Sequence, residues 1–147
     1  MDVLTTVFLF ALFGVIGFGA LLYAGLTRLS AQATAQALHT VRHEALLETR
    51  YGANFFGQQS VGVVAIRGNG TLLLTNERLY FLMWFPRKEI SISLAQITGV
   101  EAPRSFLGKS KALPLLQVNF LNEAGEADAA AWLIKDRETF QAALLAA

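Results

Sequence analysis

The chain has no cysteine, only 2 histidines and only 3 prolines among its 147 residues. Without a thiol there is no disulfide framework, no cysteine nucleophile and no thiolate metal site. The absence also agrees with a reducing compartment. Both histidines, His39 and His43, fall in one short segment. On a helix their i, i+4 spacing would place them on one face, where two imidazoles can hold a metal ion. A third ligand is missing, because Glu44 points away from the pair and no further histidine follows. They read as an exposed polar face, and neither a metal nor a cofactor is expected. Nucleophilic catalysis needs an activated serine or cysteine beside a base, and no histidine exists outside that segment to serve. Glu123, Glu126 and Asp128 share a polar turn that reads as a solvated loop rather than an acid–base pair. No enzyme is expected. A strong charge of either sign is lacking too: 12 Lys and Arg against 11 Asp and Glu leave a net charge of +1, which argues against a nucleic-acid partner.

What the chain does have is a hydrophobic fraction of 54%. The stretch VLTTVFLFALFGVIGFGALLYAGL, Val3 to Leu26, runs for about 24 residues without a charge. As a helix it would span roughly 36 Å, more than a bilayer core of ~30 Å, and it reads as a transmembrane anchor. Ala31-Gln32-Ala33 has the small-x-small form of a signal cleavage site. Three features favour an uncleaved anchor: Asp2 and no base at the start, an apolar run longer than a signal core, and Arg28 ahead of the candidate site. All 12 Lys and Arg residues lie after the run. The positive-inside bias therefore puts the short N-terminus outside and the C-terminal domain in the cytoplasm, in a membrane of the bacterial inner-membrane kind. Gly14, Gly17, Gly19, Ala20, Ala24 and Gly25 could let two such helices approach closely, so a homodimer through the membrane helix stays open beside ordinary membrane-helix composition.

The next stretch, TRLSAQATAQALHTVRHEALLETR, has no glycine or proline and should continue the helix into water. Leu38, Val41 and Ala45 give it a thin apolar stripe, so it reads as a stalk or as a helix lying against the domain or a partner. The expected division is an anchor over 1–28, a helical juxtamembrane stalk over 29–49 and a β domain over 50–147.

From about Arg50, short runs rich in β-branched and aromatic residues alternate with Gly, Asn and Pro, the pattern of an antiparallel β domain. The candidate strands are LLETRYGANFF, VGVVAI, TLLLT, RLYFLMWF, EISISL, ITGVEA, LLQVNFL and DAAAWLI. Ile90, Ile92 and Leu94 alternate with Ser91 and Ser93, and Leu116, Val118 and Phe120 alternate with Gln117 and Asn119, so the apolar sets should face a core. A closing helix follows, with Asp136 as its N-cap and Phe140, Ala143, Leu144 and Ala147 on one face.

GANFFG, GTLLLTNERLYF, ISLAQITGVEAPRSFLGKS, PLLQVNF and AWLIKDRETFQAAL, in that order, resemble a GRAM or bacterial PH-like domain over about two-thirds of the chain. The resemblance implies a PH-type fold, with about seven antiparallel strands in two near-orthogonal sheets and a C-terminal capping helix. It also implies a membrane-associated adaptor without catalytic residues.

Asn69-Gly70 should supply the positive φ angles of a tight hairpin turn, and Thr75-Asn76-Glu77-Arg78 the next corner. LGKS, Leu107 to Ser110, has the ending of a phosphate-binding loop, but Pro103 stands where its first glycine is required. Two functions remain. One is a membrane-tethered adaptor that captures a protein partner through a strand edge or groove, its weak interface helped by the tether. The alternative is contact with anionic lipid or the membrane surface through Trp84, Phe85, Arg87, Lys88, Arg104, Lys109 and Lys111, since aromatics beside bases suit the bilayer interface. Whether Trp84 and Phe85 turn inward or outward is the detail on which the choice depends.

Overall fold

The computed structural model describes residues 2–147, and its backbone contacts divide the chain into two compact units, one ending at Gln32 and one running from Ala33 to Ala147. The first unit is a single helix. Helix α1 (Val3–Thr40) begins after Asp2, whose carboxylate accepts from the Thr5 amide at 2.8 Å and the Thr5 hydroxyl at 2.5 Å. That bond satisfies one of the free amides of the first turn, and the negative charge suits the positive end of the helix dipole. Val7, Phe10, Phe13, Ile16, Phe18 and Leu22 are all exposed along it. The helix is long and apolar enough to cross a membrane, and its most apolar stretch is not buried within the protein.

The second unit begins with the last turns of α1 and continues through β1 (Leu46–Gln58), β2 (Gly68–Thr75), β3 (Arg78–Met83), β4 (Lys88–Ser93) and β5 (Ile97–Glu101). A small hairpin of β6 (Ser105–Phe106) and β7 (Lys109–Ser110) follows, then β8 (Leu116–Leu121), β9 (Ala127–Leu133) and α2 (Arg137–Ala146). Seven strands hydrogen-bond in one antiparallel sheet, in the order β4-β3-β2-β1-β9-β8-β5, and β6 and β7 pair separately.

The organising strand is β1. Its residues Leu46 to Phe55 pair with β2, while Asn54 to Gln58 pair with β9. Register shifts at Leu46/Glu48, Tyr51/Ala53 and Phe55/Gly57 bend it, and Gly52 (φ 74°) and Gly57 (φ 142°) occupy backbone conformations that a side chain would strain. The bent strand joins two wings, β2–β4 and β9–β8–β5, whose inner faces meet. Phe55, Phe81 and Trp132 form the centre, with ring centroids 5.5 to 5.8 Å apart. Ile90 and Ile92 from one wing, Val118 and Phe120 from the other, and Phe140 and Leu144 of α2 complete the same core. The alternation in β4 and β8 thus faces inward as the sequence predicts, with Leu94 packed on the core's margin.

The opposite face of β2 and β3 is also apolar. Leu73, Tyr80 and Leu82 are covered by Ala33, Ala37 and Val41 of the chain's own helix. Small side chains here let the helix approach the sheet closely. Polar groups fasten the edges: Thr34 and Thr71 share a 2.8 Å hydrogen bond, and Glu44 accepts from Thr75 at 2.6 Å and pairs with Arg78. The Arg78 guanidinium is the main reason the Glu44 carboxyl is held below its ordinary value, against the opposing effect of burial. Tyr80 is fully buried with no partner for its hydroxyl, and burial pushes that hydroxyl up to about 12.

Four local expectations need correction. Asn69-Gly70 lies inside β2, paired with Asn54 and Ala53, and makes no turn. VGVVAI is not a strand, because Gln59–Val64 forms short 3-10 turns interrupted at Gly62 (φ 75°, ψ −163°). RLYFLMWF leaves the sheet at Met83, before its two last aromatics. Asp136 stands at the N-cap of α2 in a left-handed conformation, yet its side chain makes no capping bond.

Candidate functional site

The chain between β1 and β2 is held at its base by one buried carboxylate. Asp128 accepts from Gln58 Nε2 at 2.6 Å, from the Ser60 amide at 2.9 Å and hydroxyl at 2.7 Å, and from the Ala129 amide at 2.8 Å. Burial pushes the Asp128 carboxyl up, but these donors outweigh it and hold the group below its ordinary value. Asp128 was grouped with a solvated turn in the sequence, and here it is a buried anchor. Lys109 braces the other side of the loop, donating to the carbonyl oxygens of Phe56 at 3.2 Å and Ala65 at 2.8 Å.

Between these braces Ala65 turns inward and the larger side chains turn outward. Val63, Val64 and Ile66 are 69%, 79% and 61% exposed, and Val61 is exposed beside them. The β3–β4 turn adds Phe85, 76% exposed. Trp84 faces the other way, half-buried against the outer-face cluster with its indole N–H donating to Thr71 Oγ1 at 3.0 Å. The two aromatics that the sequence could not orient therefore divide, one packed and one free. Exposed valines, an isoleucine and a phenylalanine on two loops form a patch that a folded domain does not normally leave in water.

The two loops share an open recess of about 390 Å³ lined by Val61, Val64, Ile66, Met83, Pro86 and Lys88 among others. Lys88 enters it from β4, with Nζ 5.0 Å from the centroid of the Phe55 ring. Burial lowers the Lys88 ammonium below its ordinary value, and the Asp128 charge opposes the shift. Arg87 lies at the rim and bonds Gln36 of α1.

Of the seven residues singled out in the sequence, Phe85, Arg87 and Lys88 come together at this end of the domain. Trp84 is committed to the outer face and Lys109 to backbone carbonyls. Arg104 and Lys111 are exposed beside the β6–β7 hairpin, joined by the Lys111 amide to the Arg104 carbonyl at 3.2 Å. Missed entirely were Val61, Val63, Val64 and Ile66, whose β-branched character reads as strand. The one usable signal was Gly62 inside that run together with its lack of alternation. Among the described residues no three His, Asp or Glu side chains gather as a metal site would require.

A second concavity of about 700 Å³ lies where the wings part. Before Asn54, β1 pairs only with β2, while β9 ends at Leu133 and leads away through Ile134 and Lys135. Arg50 crosses the gap to donate to the Lys135 carbonyl at 3.0 Å, and Tyr51 and Leu113 are exposed at its margins.

No protein-family model and no curated protein matches the chain. Solved structures that share its fold include two of low sequence identity. The crystal structure of the C-terminal domain of an unknown protein from Leishmania infantum aligns with a TM-score of 0.56 at 14% identity, over 79% of this chain and 94% of that one. A chain of the 8S snRNP assembly intermediate aligns with a TM-score of 0.54 at 15% identity, over 69% of this chain and 80% of that one. At these identities the likeness concerns the arrangement of strands and helix alone.

Proposed function

We propose that the protein is a membrane-anchored, non-catalytic module of the GRAM or bacterial PH-like kind whose β domain touches the bilayer surface through its apolar tip. One observation carries the reading: five large apolar side chains, Val61, Val63, Val64, Ile66 and Phe85, stand exposed on two neighbouring loops. In this reading α1 is an uncleaved span. The two wings are the two sheets of a PH-type fold, and the positive-inside bias assigns the domain to the cytoplasmic side. Apolar side chains at acyl depth with Arg87 at headgroup depth suit an interface in which burial contributes about 25 cal/mol per Å² and each base about 1 kcal/mol.

Amide exchange on the full chain in lipid nanodiscs tests this. Residues 61–66 should exchange more slowly than the same loop carrying Val63→Asp and Val64→Asp, after correction for intrinsic rates, while β8 and β9 stay unchanged. Equal protection in both proteins would refute bilayer contact.

The gap between β1 and β9 supports a second reading, a protein adaptor. An open strand edge beside exposed Tyr51 and Leu113 can take an extended segment of a partner. A photocrosslinker at Tyr51 in cells should then yield one discrete adduct that Leu113→Asp removes. A diffuse ladder of adducts would count against the groove.

A further inference from the structure

Lys88 is the least explained charge in the β domain. It shares a face of β4 with Ile90 and Ile92, both buried in the core, so its stem points inward while Glu89 is exposed on the other face. Among the described residues its Nζ makes no hydrogen bond and no ion pair, and it lies 5.0 Å from the centroid of the Phe55 ring. Asp128 acts on Lys88 through its charge, but its oxygens are taken up by Gln58, Ser60 and the Ala129 amide and it makes no bond to Nζ. A partly desolvated ammonium with no direct hydrogen-bonding partner is costly, so the position favours an anionic acceptor arriving from outside.

The walls state the rest of the ligand's chemistry. Val61, Val64, Ile66, Met83 and Pro86 surround the charge with hydrocarbon and with one thioether, in a recess of about 390 Å³. That volume falls in the usual small-ligand range of roughly 300–1,000 Å³. A lysine without an ion pair in an apolar recess, beside Arg87 that bonds only the neutral Gln36 amide, matches an anionic group on an aliphatic chain.

We infer that this recess seats a single fatty acid, its carboxylate at Lys88 and its chain between Val64, Ile66 and Met83. The inference deepens the bilayer-contact reading and rests on it, since a tip at acyl depth brings the recess to where such chains are found. Arg87, bound to Gln36 at the rim, adds positive potential without closing the entrance.

The test uses the full chain in zwitterionic nanodiscs with labelled dodecanoate, and with dodecanol as the same chain without charge. Dodecanoate should bind saturably at one per chain above empty nanodiscs, and dodecanol about tenfold more weakly, the scale of one lost charge-assisted hydrogen bond. Lys88→Met should bring dodecanoate down to the level of dodecanol, whereas Lys88→Arg should keep the preference. Dodecanoate retention no better than in empty nanodiscs, or a preference unchanged in Lys88→Met, would overturn the seat. Tighter binding of dodecyl phosphate than of dodecanoate would overturn the carboxylate assignment. Loop protection measured by amide exchange uses no fatty acid, so the seat can fail while bilayer contact stands.

Discussion

At Gly70 two strands come so close that a side chain has no place. A Cβ there would lie 2.4 Å from the Leu82 carbonyl oxygen and 2.6 Å from the Phe81 ring. Gly70→Ala should therefore lower the stability of the β domain by about 1–3 kcal/mol, read from denaturant unfolding in detergent, although its backbone φ is one that alanine can adopt. The dipeptide Asn-Gly suggested a turn because the sequence shows conformational freedom and not proximity; only the packed sheet reveals that the missing Cβ is what matters. Asp128 carries a second residue-scale prediction. Its folded pKa lies below its ordinary 3.8, so its contribution is complete above that value and is lost as pH falls through the lower, folded one. Asp128→Asn should cost about 1–3 kcal/mol at neutral pH and flatten the acid limb of the stability curve. An acid limb identical to that of the native protein would show that the carboxylate does not hold the loop.

The elements differ in how plainly the sequence announces them. Alternation in EISIS and LQVNF identifies β4 and β8 because each has one face on the core, and α2 is legible from the spacing of Phe140 and Leu144. The β1–β2 loop was not legible. Strand propensity measures fit to a pleated, half-buried surface, and VGVVAI has the residues but no neighbouring strand to pair with. The docking of the last turns of α1 was hidden for another reason: Ala33 and Ala37 read as helix filler, yet their small size is what seats the helix on Leu73 and Tyr80. The clasp beneath that helix joins residues far apart in sequence, Glu44 and Arg78, with the Glu44 side chain almost buried. A double-mutant cycle on the pair should give a coupling of about 1–2 kcal/mol, above the value of an exposed pair. Coupling near zero would mean that the helix is held by its apolar contacts alone.

The whole molecule joins a helix apolar enough to cross a membrane to a β domain with an apolar tip. In the proposed function that helix is a tether holding the domain at high effective concentration near the bilayer, so that a tip of modest area would suffice for contact. A net charge of +1 fits the proposal that the domain would meet a membrane mainly through hydrocarbon. Because the chain contains no cysteine, one introduced thiol can report on one place without other changes. The most direct measurement labels Val63→Cys with an environment-sensitive fluorophore in the vesicle-reconstituted full chain, and compares it with Glu77→Cys on the exposed β2–β3 turn. The account predicts blue-shifted emission at position 63, quenched by spin-labelled acyl chains, with water-like and unquenched emission at position 77. Water-like, unquenched emission at both positions would contradict it.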